Sequence, residues 1–251
     1  MIRLILALLP ALLFLILTLP LSFAIWLIQK WKPGAGDQLQ LRMVQWIFKV
    51  MLWISGVKAT VIGEENVPKD QAVLYIINHR SYFDILLTYS RCPRLTGYIA
   101  KKEIGRVPLL ALWMRRLHCL FLDRKDIKEG LKTILAAIDY VKSGISIAIF
   151  PEGSRGRSAD ETELLPFHEG SFKIALKSGC PIIPVSINHS SAIMEDHMPW
   201  IKAAHVVLEY GAPIYPEQLS REEKKFLGKQ VQAIIQDTLK KNQHMIVQKG
   251  N

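Results

Sequence analysis

The sequence predicts an α/β domain with a central mixed sheet flanked by helices, joined to an N-terminal helical membrane anchor or re-entrant hairpin. Three observations predict it. Residues 4–28 form an apolar run without a charge; short β-rich runs alternate with helical patterns from Lys58 onward; and 251 residues, half of them hydrophobic, suffice for one good core plus an appendage. The boundary this implies puts membrane-associated helices in residues 1–57 and a catalytic α/β domain in 58–251.

As one continuous helix, residues 4–28 would exceed the roughly 30 Å hydrocarbon thickness of a bilayer. Pro10 and Pro20 each remove a backbone donor and crowd the preceding turn, so a kinked span and a re-entrant hairpin both satisfy the pattern. A cleaved signal peptide could use Ser22-Phe23-Ala24 behind Arg3, but the apolar run is too long for a typical signal segment. Lys30, Lys32, Arg42 and Lys49 follow it, and the positive-inside tendency places the remainder on the cytoplasmic side of the inner membrane. Residues 39–54 mix Trp46, Phe48 and Trp53 with Arg42 and Lys49 at helical spacing. That composition suits a bilayer interface, and a core helix fits the periodicity equally well.

Beyond Lys58 the expected strands are 59–62, 73–77, 95–100, 119–122, 145–150, 181–187 and 206–210. Helical patterns fill 83–90, 109–117, 127–142, 172–177 and 222–241, the last opened by a Ser220-x-x-Glu223 capping box with Phe226, Leu227, Val231, Ile234, Ile235 and Leu239 on one broad face. The charged, small-residue stretch 156–163 reads as a surface loop and a candidate mobile flap beside 150–155.

The balance of 32 Lys+Arg against 22 Asp+Glu, a net +10, attracts polyanions: nucleic acid, anionic lipid or phosphorylated small molecules. The charges are dispersed through helices without a recognition motif, which argues against nucleic acid as a partner and leaves a basic membrane-binding module as the non-enzyme alternative. Cys92, Cys119 and Cys180 are odd in number and far apart, suggesting neither a disulfide framework nor a zinc site. The histidines outside the first motif below lack H-E-x-x-H spacing, so no metal is expected.

Two strand ends carry the chemistry. Asn78-His79-Arg80-Ser81-Tyr82-Phe83-Asp84 emerges from the apolar run 73–77, where α/β sites form. Five residues apart, His79 and Asp84 would be separated by about 140° on a regular helix, so they meet only if the histidine precedes a helix that holds the aspartate in its first turn. Ser81-x-x-Asp84 is a capping-box pattern that would start such a helix. Asp84 could then fix the imidazole through one nitrogen while the other removes a proton from an alcohol. The bland alternative is a capped helix beside an ordinary surface histidine. Phe150-Pro151-Glu152-Gly153-Ser154-Arg155 follows the second run: Pro151 stops the ladder, Gly153 allows a tight turn, Arg155 offers a planar fork suited to phosphate, and Glu152 could orient that arginine or bind a substrate hydroxyl. Taken alone, this motif is equally a turn with an exposed salt bridge. A serine hydrolase is the rival enzyme class, because 144–148 half matches G-x-S-x-G, but Ser146 lies inside a β run and not at a strand-to-helix turn.

Together the motifs resemble the glycerolipid acyltransferases, and within them the lysophosphatidic acid acyltransferases. Four blocks carry the resemblance: His79 to Asp84 preceded by Asn78; Ala100-Lys101-Lys102-Glu103 continuing to Leu120-Phe121-Leu122-Asp123-Arg124; the FPEGSR block from Phe150 to Arg155; and Cys180-Pro181-Ile182-Ile183-Pro184-Val185. They occur in family order across roughly residues 74–187. The resemblance implies that His79 is the general base and Asp84 its partner, with no protein nucleophile. It further implies that Lys101, Arg124, Glu152, Gly153, Ser154 and Arg155 bind the phosphorylated acceptor, three cations surrounding one phosphate, while Pro181 and Pro184 shape the acyl-side wall. The substrates it implies are an acyl thioester, as acyl-CoA or acyl carrier protein, and 1-acylglycerol-3-phosphate, giving phosphatidic acid without a cofactor. Ser154 replaces the family's usual threonine and keeps the hydroxyl. Gly105-Arg106 and Arg115-Arg116-Leu117-His118 depart from the second block, which leaves another lysophospholipid or a lyso-aminolipid as the alternative acceptor.

Overall fold

The computed structural model describes residues 2–32 and 34–247. Seven strands, β1 Lys58–Ile62, β2 Leu74–Ile77, β3 Thr96–Lys101, β4 Leu120–Leu122, β5 Ser146–Ile149, β6 Ile182–Asn188 and β7 His205–Tyr210, form one sheet in the order β1-β7-β6-β2-β5-β3-β4. The central pairings are parallel, β7 is antiparallel to β6, and β1 runs parallel with β7, so the sheet is mixed. Each strand falls within two residues of the apolar run that announced it.

Both faces of the sheet are covered, which is why β2 reads as an unbroken apolar run rather than an alternation. On one face Tyr75, Ile77, Tyr98 and Val185 pack with α3 (Asp37–Ile54), α4 (Phe83–Tyr89) and α5 (Pro108–Arg116). On the other, Leu74, Ile76, Ile147 and Ile182 pack with α6 (Ile127–Lys142), α7 (Lys173–Ser178) and α9 (Leu227–Val247). Ile76→Ala opens a cavity where no solvent reaches, and it should cost about 2–5 kcal/mol. Chemical denaturation reads that loss directly; a change under half a kcal/mol, a surface-like value, would contradict the packing.

The apolar N-terminus forms α1 (Ile2–Leu17) and α2 (Leu19–Gln29). Among the described residues no single helix is long and apolar enough to cross a membrane; the two together meet that length and composition, bent by 45°. The bend falls just before Pro20, in the first turn of α2, whereas Pro10 stays inside α1. The Thr18 hydroxyl, at the bend, donates back to the carbonyl of Phe14. Helix α1 also packs on the domain: Ala7 belongs to the core cluster and the Phe14 ring lies 5.1 Å from that of Trp113 on α5. The core-helix reading of residues 39–54 holds, because α3 buries Leu41, Val44 and Ile47, while Trp46 and Trp53 stand 61% and 80% exposed.

Two expectations are corrected. The predicted helix 222–241 is two helices, α8 (Arg221–Lys225) with its Ser220–Glu223 capping box, and α9, separated at Phe226. Phe226 is exposed, while Leu227, Val231, Ile235 and Leu239 carry the buried face. The stretch 156–163 is pinned and does not hang free as a flap: Glu161 accepts from Asn188 Nδ2 at 3.0 Å and from the His189 amide at 2.7 Å, and Thr162 is buried.

Candidate active site

Strands β2 and β5 are neighbours, with Ile76 opposite Ile149, so the two motif-bearing loops leave the sheet side by side. The His79 amide donates to Glu152 Oε1 at 2.7 Å, and the His79 carbonyl accepts from the Gly156 amide at 2.8 Å. The FPEGSR loop thus clamps the histidine's backbone on both sides. Asn78 completes the frame, exchanging two hydrogen bonds with the backbone of Ile187 on β6 at 3.0 and 2.8 Å.

The imidazole stacks on Phe150, with ring centroids 4.1 Å apart, and its Nδ1 lies 2.9 Å from Asp84 Oδ2. That one carboxylate oxygen also accepts the amides of Arg80 and Ser81, each at 2.8 Å. Asp84 is wholly buried in the first turn of α4, and its Oδ2 acts there as acceptor for two amides, so the contact with His79 favours the tautomer that carries hydrogen on Nδ1 and the lone pair on Nε2. The His79 side chain is 15% exposed, and Nε2 has no hydrogen-bond partner among the described residues. The expected Ser81–Asp84 capping box is half formed. Asp84 reaches back to the Ser81 amide, but the Ser81 hydroxyl accepts from Phe83 at 3.0 Å, not from Asp84.

Glu152 does not orient Arg155, the first of its two sequence readings. Neither oxygen meets Arg155; Oε1 holds His79, and Oε2 accepts the Leu165 amide at 2.9 Å. Burial pushes its carboxyl above the usual range, and those two amides pull the other way. Arg155 instead pairs with Glu195 at 2.8 Å and lies over the Tyr82 ring, 3.8 Å from its centroid. Glu195, forty residues downstream, carries no motif that a sequence reader would notice.

Of the three expected cations, Lys101 and Arg124 share Glu103 as a charged neighbour, and Arg155 pairs with a different carboxylate. The Lys101 ammonium, at the end of β3, is 3.8 Å from Glu103, and Arg124, at the end of β4, has its guanidinium carbon 3.8 Å from the point where a Cβ on Gly153 would lie. Burial lowers the Arg124 pKa, and Glu103 opposes the shift; an arginine remains charged throughout. Arg155 keeps the separate company of Glu195 and Tyr82, and Ser154 is exposed. Gly153 has φ +73°, and a Cβ there would come 3.0 Å from His168 Nε2. Gly153→Ala should therefore lose about 1–2 kcal/mol through the left-handed conformation, which thermal unfolding will show as a lower Tm. The rival nucleophile is excluded by position: Ser146 is fully buried and its hydroxyl accepts the Val73 amide at 3.1 Å.

Fold and site together define an α/β protein whose imidazole–carboxylate pair stands at the carboxyl edge of a mixed sheet. A model of the acyltransferase family matches residues 58–188, the segment that holds every one of these groups except Glu195. The chain belongs to the acyltransferase family. It is similar to the 1-acyl-sn-glycerol-3-phosphate acyltransferase of Borreliella burgdorferi, with 33% identity over 61% of this chain and 60% of that protein. It is similar also to the protein of the same description from Saccharomyces cerevisiae, with 29% identity over 79% of this chain and 67% of that one. The crystal structure of the 1-acyl-sn-glycerophosphate (LPA) acyltransferase from Thermotoga maritima superposes with a TM-score of 0.71 at 25% identity, covering 95% of this chain and 97% of that one. The matched segment thus spans 60% of the Borreliella relative's length.

Proposed function

We propose that the chain transfers an acyl group from a thioester to the free hydroxyl of 1-acylglycerol-3-phosphate, giving phosphatidic acid. The observation that carries this reading is the 2.9 Å contact between His79 Nδ1 and a buried carboxylate, which leaves Nε2 to receive a proton. In the proposed step Nε2 takes the hydroxyl proton while the oxygen attacks the thioester carbonyl; the tetrahedral intermediate then expels thiolate, which takes the proton back from the imidazolium. Arg124, beside Gly153, and Lys101 supply positive charge for the acceptor phosphate, and Arg155 helps to steer it. The donor class is acyl-CoA or acyl carrier protein, each delivering a thioester to the same imidazole.

Seating at the cytoplasmic surface of the inner membrane is part of the proposal. The bent apolar helix pair, the exposed Trp46 and Trp53, and the basic residues after α2 support it. The test is a panel of acceptors with purified protein and labelled acyl thioesters. Acylglycerol phosphate should be used far better than monoacylglycerol, and equal use of the two would remove the phosphate argument. Arg155→Ala should mainly raise the acceptor KM, because a contact made equally in ground and transition states is lost. A fall in kcat at unchanged KM would contradict that role.

A further inference from the structure

Arg80, one residue after the imidazole, has its amide in the Asp84 dyad and its side chain elsewhere. The residue is only 8% exposed, with Nη2 donating to the Ser158 carbonyl at 2.5 Å, whereas Nε and Nη1 have no partner among the described residues. A buried guanidinium left with unused donors is costly unless water or a ligand completes them. Arg80 lines a cavity of about 730 Å³ that also receives Arg155 and Arg157. Its carboxylates are already engaged: Glu161 by Asn188 and His189, Asp196 by Ser191, and one Glu195 oxygen by Arg155 and the Tyr82 amide. The other Glu195 oxygen is buried and unmatched, a place for a hydroxyl or amide N–H.

We propose that Arg80 and Arg157 form a second phosphate site, whose lining does not include Arg124, that holds a phosphate group of one of the two substrates. The inference rests on the acyl-transfer reading, whose chemistry calls for two such sites. The acceptor carries a phosphomonoester, and both donor classes carry phosphate on a pantetheine arm rich in hydroxyl and amide groups. Guanidinium groups offer phosphate oxygens several N–H donors at once, and the Nε–H and the Nη1 amino group of Arg80 are both unengaged.

The experiment compares wild type, Arg80→Gln and the exposed-site variant Arg157→Gln with acyl-CoA or the phosphate-free acyl-N-acetylcysteamine as donor, and with acylglycerol phosphate or monoacylglycerol as acceptor. Each variant should raise the KM of one substrate about tenfold, the equivalent of one charge-assisted contact. If the donor's phosphate is held, the defect vanishes with acyl-N-acetylcysteamine; if the acceptor's, it vanishes with monoacylglycerol. An equal defect with every pair, or none, overturns the site. Thermal unfolding with inorganic pyrophosphate gives a readout independent of turnover. Wild type should gain in Tm and both variants should gain less. An equal gain in all three, or no gain in wild type, overturns the site even if no acyl transfer is seen, while a wild type inert toward all four substrate pairs would count against the acyl-transfer reading alone.

Discussion

His79→Ala will lower turnover by about a hundredfold or more, the usual contribution of a positioned general base, while the protein stays folded. The separation of the two effects follows from where the histidine's bonds lie. Its amide and carbonyl, held by Glu152 and Gly156, fix the loop and survive the substitution. Only the ring is lost, with its stack on Phe150 and its bond to Asp84, whose Oδ2 still accepts the Arg80 and Ser81 amides. Circular dichroism and thermal unfolding should therefore resemble wild type while kcat collapses. Near-normal turnover would remove the base from the mechanism.

Asp84 should behave differently in its two simplest variants. Asp84→Ala leaves two buried amides without an acceptor, at about 1–3 kcal/mol each, and frees the imidazole to turn, so both stability and activity fall. Asp84→Asn is the informative one. All three hydrogen bonds converge on Oδ2, and Oδ1 is buried with no partner among the described residues. An amide can keep its oxygen in the Oδ2 position, so it should cost far less in stability, yet it removes the negative charge that supports the imidazolium. The expected outcome is a kcat loss of about 10²-fold or greater in both variants, with a large Tm drop only in Asp84→Ala. An Asn variant that turns over normally would reduce Asp84 to a helix-capping residue.

The parts of the molecule that a linear reading caught are those with local causes. Strand β2 announced itself through four consecutive buried apolar residues, and β5 likewise, because a strand covered on both faces needs no alternation. The His79–Asp84 pair was legible because their five-residue spacing is incompatible with one regular helix and compatible with a loop-to-helix junction. What escaped was set by distant partners. One of the two roles read for Glu152 was to orient its neighbour Arg155, but the β2–β5 pairing delivers the His79 amide to it, and Arg155 meets Glu195 and Tyr82. The loop 156–163 has a flexible composition, yet Asn188 and the His189 amide, both at the end of β6, capture Glu161. The break at Phe226 was hidden because the apolar spacing runs straight through it. Arg80 gave no signal at all, since burial of a charged side chain is not written in its neighbours.

Direct attack by a base-activated alcohol requires that no acyl group ever reside on the protein, and a donor-only incubation tests this most directly. Purified protein mixed with labelled acyl-CoA and no acceptor should release no stoichiometric burst of thiol and retain no label after denaturation. Adding acylglycerol phosphate should then start thiol release in step with phosphatidic acid formation. A burst of one thiol per chain, or label bound covalently to the protein, would contradict His79 as a base acting on the acceptor and point to a protein nucleophile.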